Sequence, residues 1–321
     1  MRNLRSLHKM QLLIWSLTIV CLVLAGCLAL VVAPSVHAVP AAPVPAALSF
    51  LSVDGQAEAS SAPETPATIL NSAPDAASGA SAAPEEVAAQ AVYLVNQERA
   101  RYGLLPVKAD PSLTAAALSH SQDMAFNDLF NHTGSDGSTV VTRFVANNYL
   151  NWTAGGENIA AGFATAEAVT TAWMNSAGHR ANILNANVRE IGVGFVYQPD
   201  DQPDVRLPDG SLGGPYFYYW TQDFGARYNV YPVVINLEAP AADNPQVTLT
   251  IHGQGWATQM RVSSRSDFAG VAWEPYATTK SWLLEAGNGV HTVYVQLRNA
   301  YDQQVTSSDT IRLTEIGRAH V

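Results

Sequence analysis

The spacing of apolar residues changes once along this chain of 321 residues, and that change limits what the chain can fold into. Before Tyr228, apolar side chains recur at helical spacing, as in the segment that starts at Pro84 and stops before Gly103. After Tyr228 they alternate strictly with polar residues, as over 247–251 and 293–297. The chain therefore contains two regions of different fold class.

The first region mixes helices and strands. Capping residues and prolines predict helices that begin at Pro84, at Asp110–Pro111 and at Thr165, and a shorter helix is predicted from Val140 to Asn147. Runs rich in β-branched and aromatic residues predict strands over 191–197 and 216–224, joined by a polar loop. Gly178 is predicted to end the helix that Thr165 caps.

The second region reads as an independent β domain. Its alternating runs are separated by glycine-containing turns, which is typical of antiparallel strands with one buried face. We predict an α+β domain over 84–227, followed over 229–313 by an antiparallel β-sandwich of the immunoglobulin-like kind.

The N-terminus has the pattern of an export signal. Basic residues precede an apolar run, and small residues around Ala38 suit a signal peptidase, so residues 1–38 are predicted to be a signal peptide. The run is also long enough to remain as a membrane anchor, and Cys27 lies in a lipobox-like context that allows lipidation. Cys21 and Cys27 are the only cysteines, so cleavage would leave a chain with no disulfide and no thiolate ligand.

Two further segments are predicted to lie outside the folded domains. Residues 39–83 are rich in Ala, Pro and Ser and lack a sustained apolar period, which predicts a disordered linker. Residues 315–321 resemble a translated sequencing adaptor and are excluded as an artefact. The formal net charge of −10 argues against nucleic acid as a partner. We expect contact with a membrane only through an uncleaved or lipidated N-terminus.

Three short stretches place ionisable groups beside turns in the first domain. They contain His132, Glu157 and His179, the last two preceded by glycine. Two imidazoles and a carboxylate can bind a divalent metal such as zinc and leave a position open for water. They can equally form a cluster that exchanges protons, and their spacing alone does not choose between these alternatives.

At this point the chain resembles a known family, the CAP superfamily of cysteine-rich secretory and pathogenesis-related proteins, in a bacterial, cysteine-free form. The resemblance covers about residues 86–227 and rests on the order of its motifs: N-Q-E-R at 96–99, G-E-N at 156–158, W-M-N-S at 173–176, G-H-R at 178–180, I-G-V-G at 191–194 and W-T-Q-D-F at 220–224.

The resemblance implies a three-layer α-β-α sandwich with an open cleft. It also implies that His132, Glu157 and His179 line that cleft, with Ser176, Asn158 and Trp220 as further cleft candidates. Many members carry a second Glu where this chain has Ser176, and a hydroxyl is a poorer ligand and not a base. Trp220 could line the cleft or the core.

The family also implies a function. Its members are mostly binding or signalling proteins, so we expect a secreted or envelope-associated protein that binds an extracellular ligand, such as a lipid or cell-wall component, without catalysis. One alternative is a metal-dependent extracellular hydrolase that uses His132, Glu157 and His179. Another is an adhesion or cell-wall protein that binds through the aromatic residues of its β domain.

Overall fold

A computed structural model describes residues 49–51 and 82–314 of the chain. These residues belong to one compact unit, Leu48–Val321. The predicted signal peptide, most of the predicted linker and the adaptor-like end lie outside the described residues.

The described part of the first domain contains helices at nearly the predicted places. They are α1 (Pro84–Arg101), α2 (Pro111–Phe126), α3 (Val140–Ala146), α4 (Ala166–Asn175) and α5 (Ala177–Ile183). Asp110 caps α2 as predicted, because its side chain accepts hydrogen bonds from the backbone N–H groups of Ser112 and Leu113.

A five-stranded sheet forms the middle of this domain. Its strands are β1 (Ser49–Leu51), β2 (Lys108–Ala109), β3 (Trp152–Ala161), β4 (Glu190–Tyr197) and β7 (Tyr218–Arg227), in the order β1-β3-β7-β4-β2. β7 pairs antiparallel with both β3 and β4. The loop between β4 and β7 contains a short hairpin of β5 (Val205–Arg206) and β6 (Leu212–Gly213).

One strand falls within the predicted linker. Ser49–Leu51 pairs in parallel with Ala154–Gly156 of β3. The prediction of a disordered stretch over 39–83 is therefore wrong at these three residues. They pair there because the edge of β3 has backbone N–H and C=O groups available for hydrogen bonding.

Helices cover both faces of the sheet, which confirms the predicted α-β-α layers. Ile191, Val193 and Phe195 of β4 point into the core shared with α1 and α4. The intervening residues, Gly192 and Gly194, face α2 on the opposite side, because side chains alternate along a strand. A Cβ atom on Gly194 would lie 2.5 Å from the backbone of Ala117, so the two glycines allow α2 to lie directly on the strand.

The C-terminal region is rich in strands, as its alternating sequence predicts. Its strands are β8 (Val233–Ile235), β9 (Ala241–Ala242), β10 (Gln246–Ile251), β11 (Gln259–Ser263), β12 (Glu274–Pro275), β13 (Thr279–Leu283), β14 (Gly289–Arg298) and β15 (Gln304–Leu313). They form sheets of order β13-β10-β8 and β12-β11-β14-β15-β9, which share one apolar core. The more specific immunoglobulin-like class stays a prediction.

Charged and polar side chains cross between the two regions. Lys108 of β2 reaches Glu238 at 2.8 Å and Asp309 of β15 at 2.6 Å. The other Asp309 oxygen accepts the backbone N–H of Ile235 at 2.6 Å. Both carboxylates are largely buried and poorly solvated, so the ammonium group of Lys108 provides the counter-charge that stabilises them.

The close seating of α2 gives the first prediction. Gly194→Ala should lower the free energy of unfolding by about 1–3 kcal/mol, since the added methyl group must displace helix backbone rather than a flexible side chain. Urea unfolding followed by circular dichroism measures this. A variant within about 0.5 kcal/mol of the parent, the usual range for neutral surface changes, would contradict the contact.

The contact at Lys108 gives the second prediction. Lys108→Met should destabilise the protein by about 3 kcal/mol, because two buried carboxylates lose their counter-charge. Lys280→Met is the matched control, since its pair with Glu274 is more exposed and should contribute less than about 1 kcal/mol. Equal losses in the two variants would show that Lys108 has no special role.

Candidate functional site

The three predicted site residues come from three different elements. His132 lies in the loop between α2 and α3, Glu157 lies in the middle of β3, and His179 lies in α5. Glu157 points to the same face of β3 as Ile159, which packs against Met124 of α2. The carboxylate is buried, whereas the side chain of His132 is 39% exposed.

The chain reaches His179 through a break that differs from the predicted one. α4 ends at Asn175, Ser176 is extended with φ −88° and ψ 126°, and α5 begins at Ala177. Gly178 therefore lies inside a second helix and does not end the first one, so the prediction for Gly178 was wrong. A seven-residue helix is too short for a clear apolar period, which explains why the sequence pattern missed it.

Glu157 is held by two partners, one on each oxygen. His132 Nδ1 lies 2.7 Å from Oε1, and a terminal nitrogen of Arg143 lies 2.6 Å from Oε2. Burial alone would raise the pKa of Glu157, but the hydrogen bond to His132 and the nearby positive charge outweigh burial and lower it. The carboxylate is therefore a fixed anion.

The ionised carboxylate determines the tautomer of His132. An ionised carboxylate can only accept hydrogen bonds, so Nδ1 of His132 must be the donor. In the neutral ring, Nε2 then carries a lone pair on a partly exposed side chain. The Glu157–His132 pair thus presents one oriented ring nitrogen, Nε2, to solvent. Carboxylates orient metal-binding and catalytic histidines in the same way.

His179 lies close enough to His132 for the two rings to influence each other. Burial, together with the charge of His132, lowers the pKa of His179 to about 4. Among the hydrogen bonds of residues 82–314, none joins the His179 side chain to His132 or Glu157. The structure thus places His132 and Glu157 in contact and His179 near His132.

Two buried residues behind this pair were not predicted as site residues. Asp223 of β7 is the cross-strand partner of Glu157, so both side chains lie on the same face. Burial and the Glu157 carboxylate raise the pKa of Asp223 well above its usual range. His120 of α2 lies in the same region, and burial lowers its pKa to about 4.

His120 is fully buried. Both of its ring nitrogens lack a hydrogen-bond partner among the described residues.

Strand alternation could have indicated Asp223 once the β3–β7 register was known. Arg143 carried no signal, since its guanidinium reaches Glu157 only through the packing of α3.

A buried amide network fixes α5 against β3. The Asn158 amide donates to the backbone oxygen of His179 at 3.2 Å and to the Gln222 side chain at 3.0 Å. Asn182 donates to the Asn158 side-chain oxygen at 2.9 Å and to the backbone oxygen of Glu157 at 3.1 Å. Asn158, predicted as a cleft candidate, is fully buried and positions the helix that carries His179.

The other cleft candidates have different surroundings. Trp220 is fully buried, packs edge-on against Trp173 and donates its indole N–H to the Phe163 backbone oxygen, so it belongs to the core and not to the cleft. Ser176 is partly exposed at the junction of α4 and α5, where its hydroxyl makes no capping hydrogen bond.

Aromatic residues of the β region contribute mainly to packing. Trp256, Tyr276 and Trp282 pack against the apolar core. The guanidinium groups of Arg261 and Arg298 lie over the Trp273 ring, at 4.8 and 4.4 Å from the ring centre. These contacts do not favour a flat sugar-stacking surface.

The donor set fits a metal only in part. In the portion of the chain that the structure describes, no group of three or more His, Cys, Asp or Glu side chains is placed to hold a metal ion. Both oxygens of Glu157 are already engaged, which leaves the imidazoles of His132 and His179 as free donors. The metal site predicted at His132, Glu157 and His179 therefore stays a prediction.

Residues 92–224 match the family model described as CAP, the Cysteine-rich secretory protein family. Over these residues the chain is therefore similar to the CAP family, as its motifs indicated.

Two relatives come from Bacillus subtilis (strain 168). The protein YkwD is 40% identical over 116 residues, which is 35% of this chain and 45% of that protein. The membrane protein YlbC is 31% identical over 105 residues, which is 33% of this chain and 30% of that protein. The chain spans less than half the length of either relative.

Solved structures that match part of the chain include an extracellular protein and an outer surface protein. An extracellular protein containing an SCP domain from Bacillus anthracis str. Ames is 28% identical, with a TM-score of 0.36, and the match covers 47% of this chain and 45% of that one. An outer surface protein from Borrelia burgdorferi is 20% identical, with a TM-score of 0.36, and the match covers 47% of this chain and 100% of that one. Among the described residues of the present chain, no helix is long and apolar enough to cross a membrane.

The buried histidine gives the third prediction. The pKa of His120 is about 4 in the folded protein and about 6.5 when unfolded, so the unfolded chain binds the extra proton first as the pH falls. Its contribution to stability is complete above about pH 6.5 and is lost as the pH falls through about 4.

His120→Leu should therefore reduce the loss of stability between about pH 6.5 and 4. At pH 7 it should change the free energy of unfolding by less than about 1.5 kcal/mol, since a neutral ring without partners is replaced by an apolar group of similar size. Urea unfolding across this pH range measures both effects. Parallel pH profiles for variant and parent would show that His120 is not the titrating group.

Proposed function

We propose that the CAP domain binds an extracellular ligand at the partly exposed imidazoles of His132 and His179, without catalysis. The observation that carries this proposal is that both oxygens of Glu157 are engaged, one by His132 and one by Arg143. Glu157 then orients His132 and does not take protons from a substrate. A ring with a fixed tautomer and a free Nε2 suits reversible recognition of a donor or a cation.

The same contacts argue against the hydrolase alternative. A hydrolase needs a base that can accept a proton from water near neutral pH. Arg143 holds Glu157 ionised inside the protein, and Ser176 offers only a hydroxyl where many family members have a carboxylate. In a hydrolase, His132 alone would have to orient the attacking water molecule and also accept its proton.

A divalent ion such as zinc is one ligand consistent with this arrangement. His132 and His179 would hold it through their ring nitrogens, and Glu157 would orient His132 from behind. When bound, the ion would supply a positive centre for an anionic or carbonyl group of a lipid or cell-wall component. We propose an extracellular location because of the export-signal pattern at the N-terminus.

The fourth prediction tests the site. The ring-proton NMR signals of His132 and His179 should shift together when Zn²⁺ is added, and isothermal titration should give one site. Glu157→Gln should weaken Zn²⁺ binding by about 10-fold or more, because the partner that orients His132 becomes neutral. His132→Ala and His179→Ala should each remove it, whereas His291→Ala in the β region is the matched control.

Phospholipid vesicles and peptidoglycan fragments are then added separately to the metal-free protein. A shift of both rings with either probe would support binding without a metal. If neither ring responds to Zn²⁺, vesicles or peptidoglycan fragments, the proposed function is wrong.

A further inference from the structure

A cavity lies where the CAP domain meets the β region. Its volume is about 380 Å³, and the residues that line it come from both parts of the chain: Arg99, Gly103, Leu104, Leu105, Ala186, Asn187, Val188, Arg189, Tyr231, His252, Gly253 and Gln254. None of them belongs to the His132–Glu157 site.

The charge around this cavity is positive. The lining residues include two arginines and no Asp or Glu, although the chain has 27 acidic residues and a net charge of −10. Arg99 and Arg189 both influence His252 electrostatically, which places the three groups close together. A concave wall with cations and no acid favours an anionic guest.

Arg99 provides a fixed positive field. It is 1% exposed and donates only to backbone oxygens, those of Leu105, Ile183 and Asn185. No acidic side chain pairs with it among residues 82–314. Burial lowers the pKa of Arg99 to about 10, so the group remains charged at neutral pH.

Arg189 is the group that can contact a guest. It lies partly exposed before β4, with its guanidinium 5.4 Å from the ring centre of Tyr231. One terminal nitrogen donates to the Arg227 backbone oxygen, while its buried Nε–H has no partner in the described residues. No carboxylate forms an ion pair with Arg189 in that part of the chain.

The opposite wall can orient a polar ligand. His252 is buried, and Nε2 lies 2.8 Å from the Pro106 backbone oxygen, so Nε2 carries the proton and Nδ1 is an acceptor. Burial lowers the pKa of His252 to about 4, so the ring is neutral at pH 7. Tyr231 stacks on Trp256 and stiffens the aromatic side.

From these features we propose that the junction cavity binds a small ligand bearing a compact oxyanion, either a carboxylate or a phosphate group. Arg189 contacts the oxyanion, Arg99 adds long-range attraction, and His252 accepts a hydrogen bond from the body of the ligand. Because the cavity is lined by both regions, the ligand would favour their contact.

The experiment is an amide NMR titration of the full folded chain with sodium phosphate and, separately, sodium acetate, with sodium chloride at matched ionic strength as the reference. Signals of Asn187, Gly253 and Gln254 should shift and saturate with at least one oxyanion. Saturation with phosphate alone identifies a phosphate ligand, and saturation with acetate alone identifies a carboxylate ligand.

Arg189→Gln should weaken binding about tenfold or more, since a charge-assisted hydrogen bond is lost. Asn187→Asp is a second variant at an exposed lining position that leaves the core untouched, and its negative charge should also weaken binding. Arg312→Gln is the matched control, because it removes an exposed charge away from the cavity lining.

The proposal is overturned if neither oxyanion shifts these signals beyond the chloride reference. It is also overturned if Arg312→Gln weakens binding as much as Arg189→Gln does. Either result leaves the His132–Glu157 proposal unaffected, because none of the probed residues belongs to that site.

Discussion

The buried ion pair between Arg143 and Glu157 is the interaction on which the candidate site depends. It brings a cation from α3 to the centre of β3 and keeps the carboxylate charged in a place where burial opposes charge. His132 then has an acceptor of fixed position, and its ring orientation follows. Without Arg143, the hydrogen bond from His132 would be the main interaction left to keep Glu157 ionised beside the buried acid Asp223.

This arrangement also explains why the site has an exposed and a buried side. His132 reaches solvent, whereas His120 and Asp223 lie behind Glu157 in the interior. Burial disfavours charge on both inner groups, so His120 stays neutral by losing its proton and Asp223 by keeping one. The inner residues thus surround a single fixed anion without adding competing charge.

Much of the fold could be predicted from the sequence because its signals are local. The Asp110–Pro111 cap and the alternation over 247–251 each depend on neighbouring residues, and the structure confirms both. Helix α5 (Ala177–Ile183) was not predicted, because a Gly within a short segment resembles a residue that ends a helix. Arg143 was not predicted and Trp220 was left open between cleft and core, because the positions of both depend on contacts between elements distant in sequence.

Lys108 has a consequence for how the two regions can be studied apart. It belongs to the CAP part, yet two carboxylates of the β part depend on it for neutralisation. His252 similarly completes its hydrogen bonding on the Pro106 backbone across the same junction. Dissection into separate fragments would expose Glu238 and Asp309 as a bare acidic patch, so an isolated β fragment would differ in surface charge from the same residues in the intact chain.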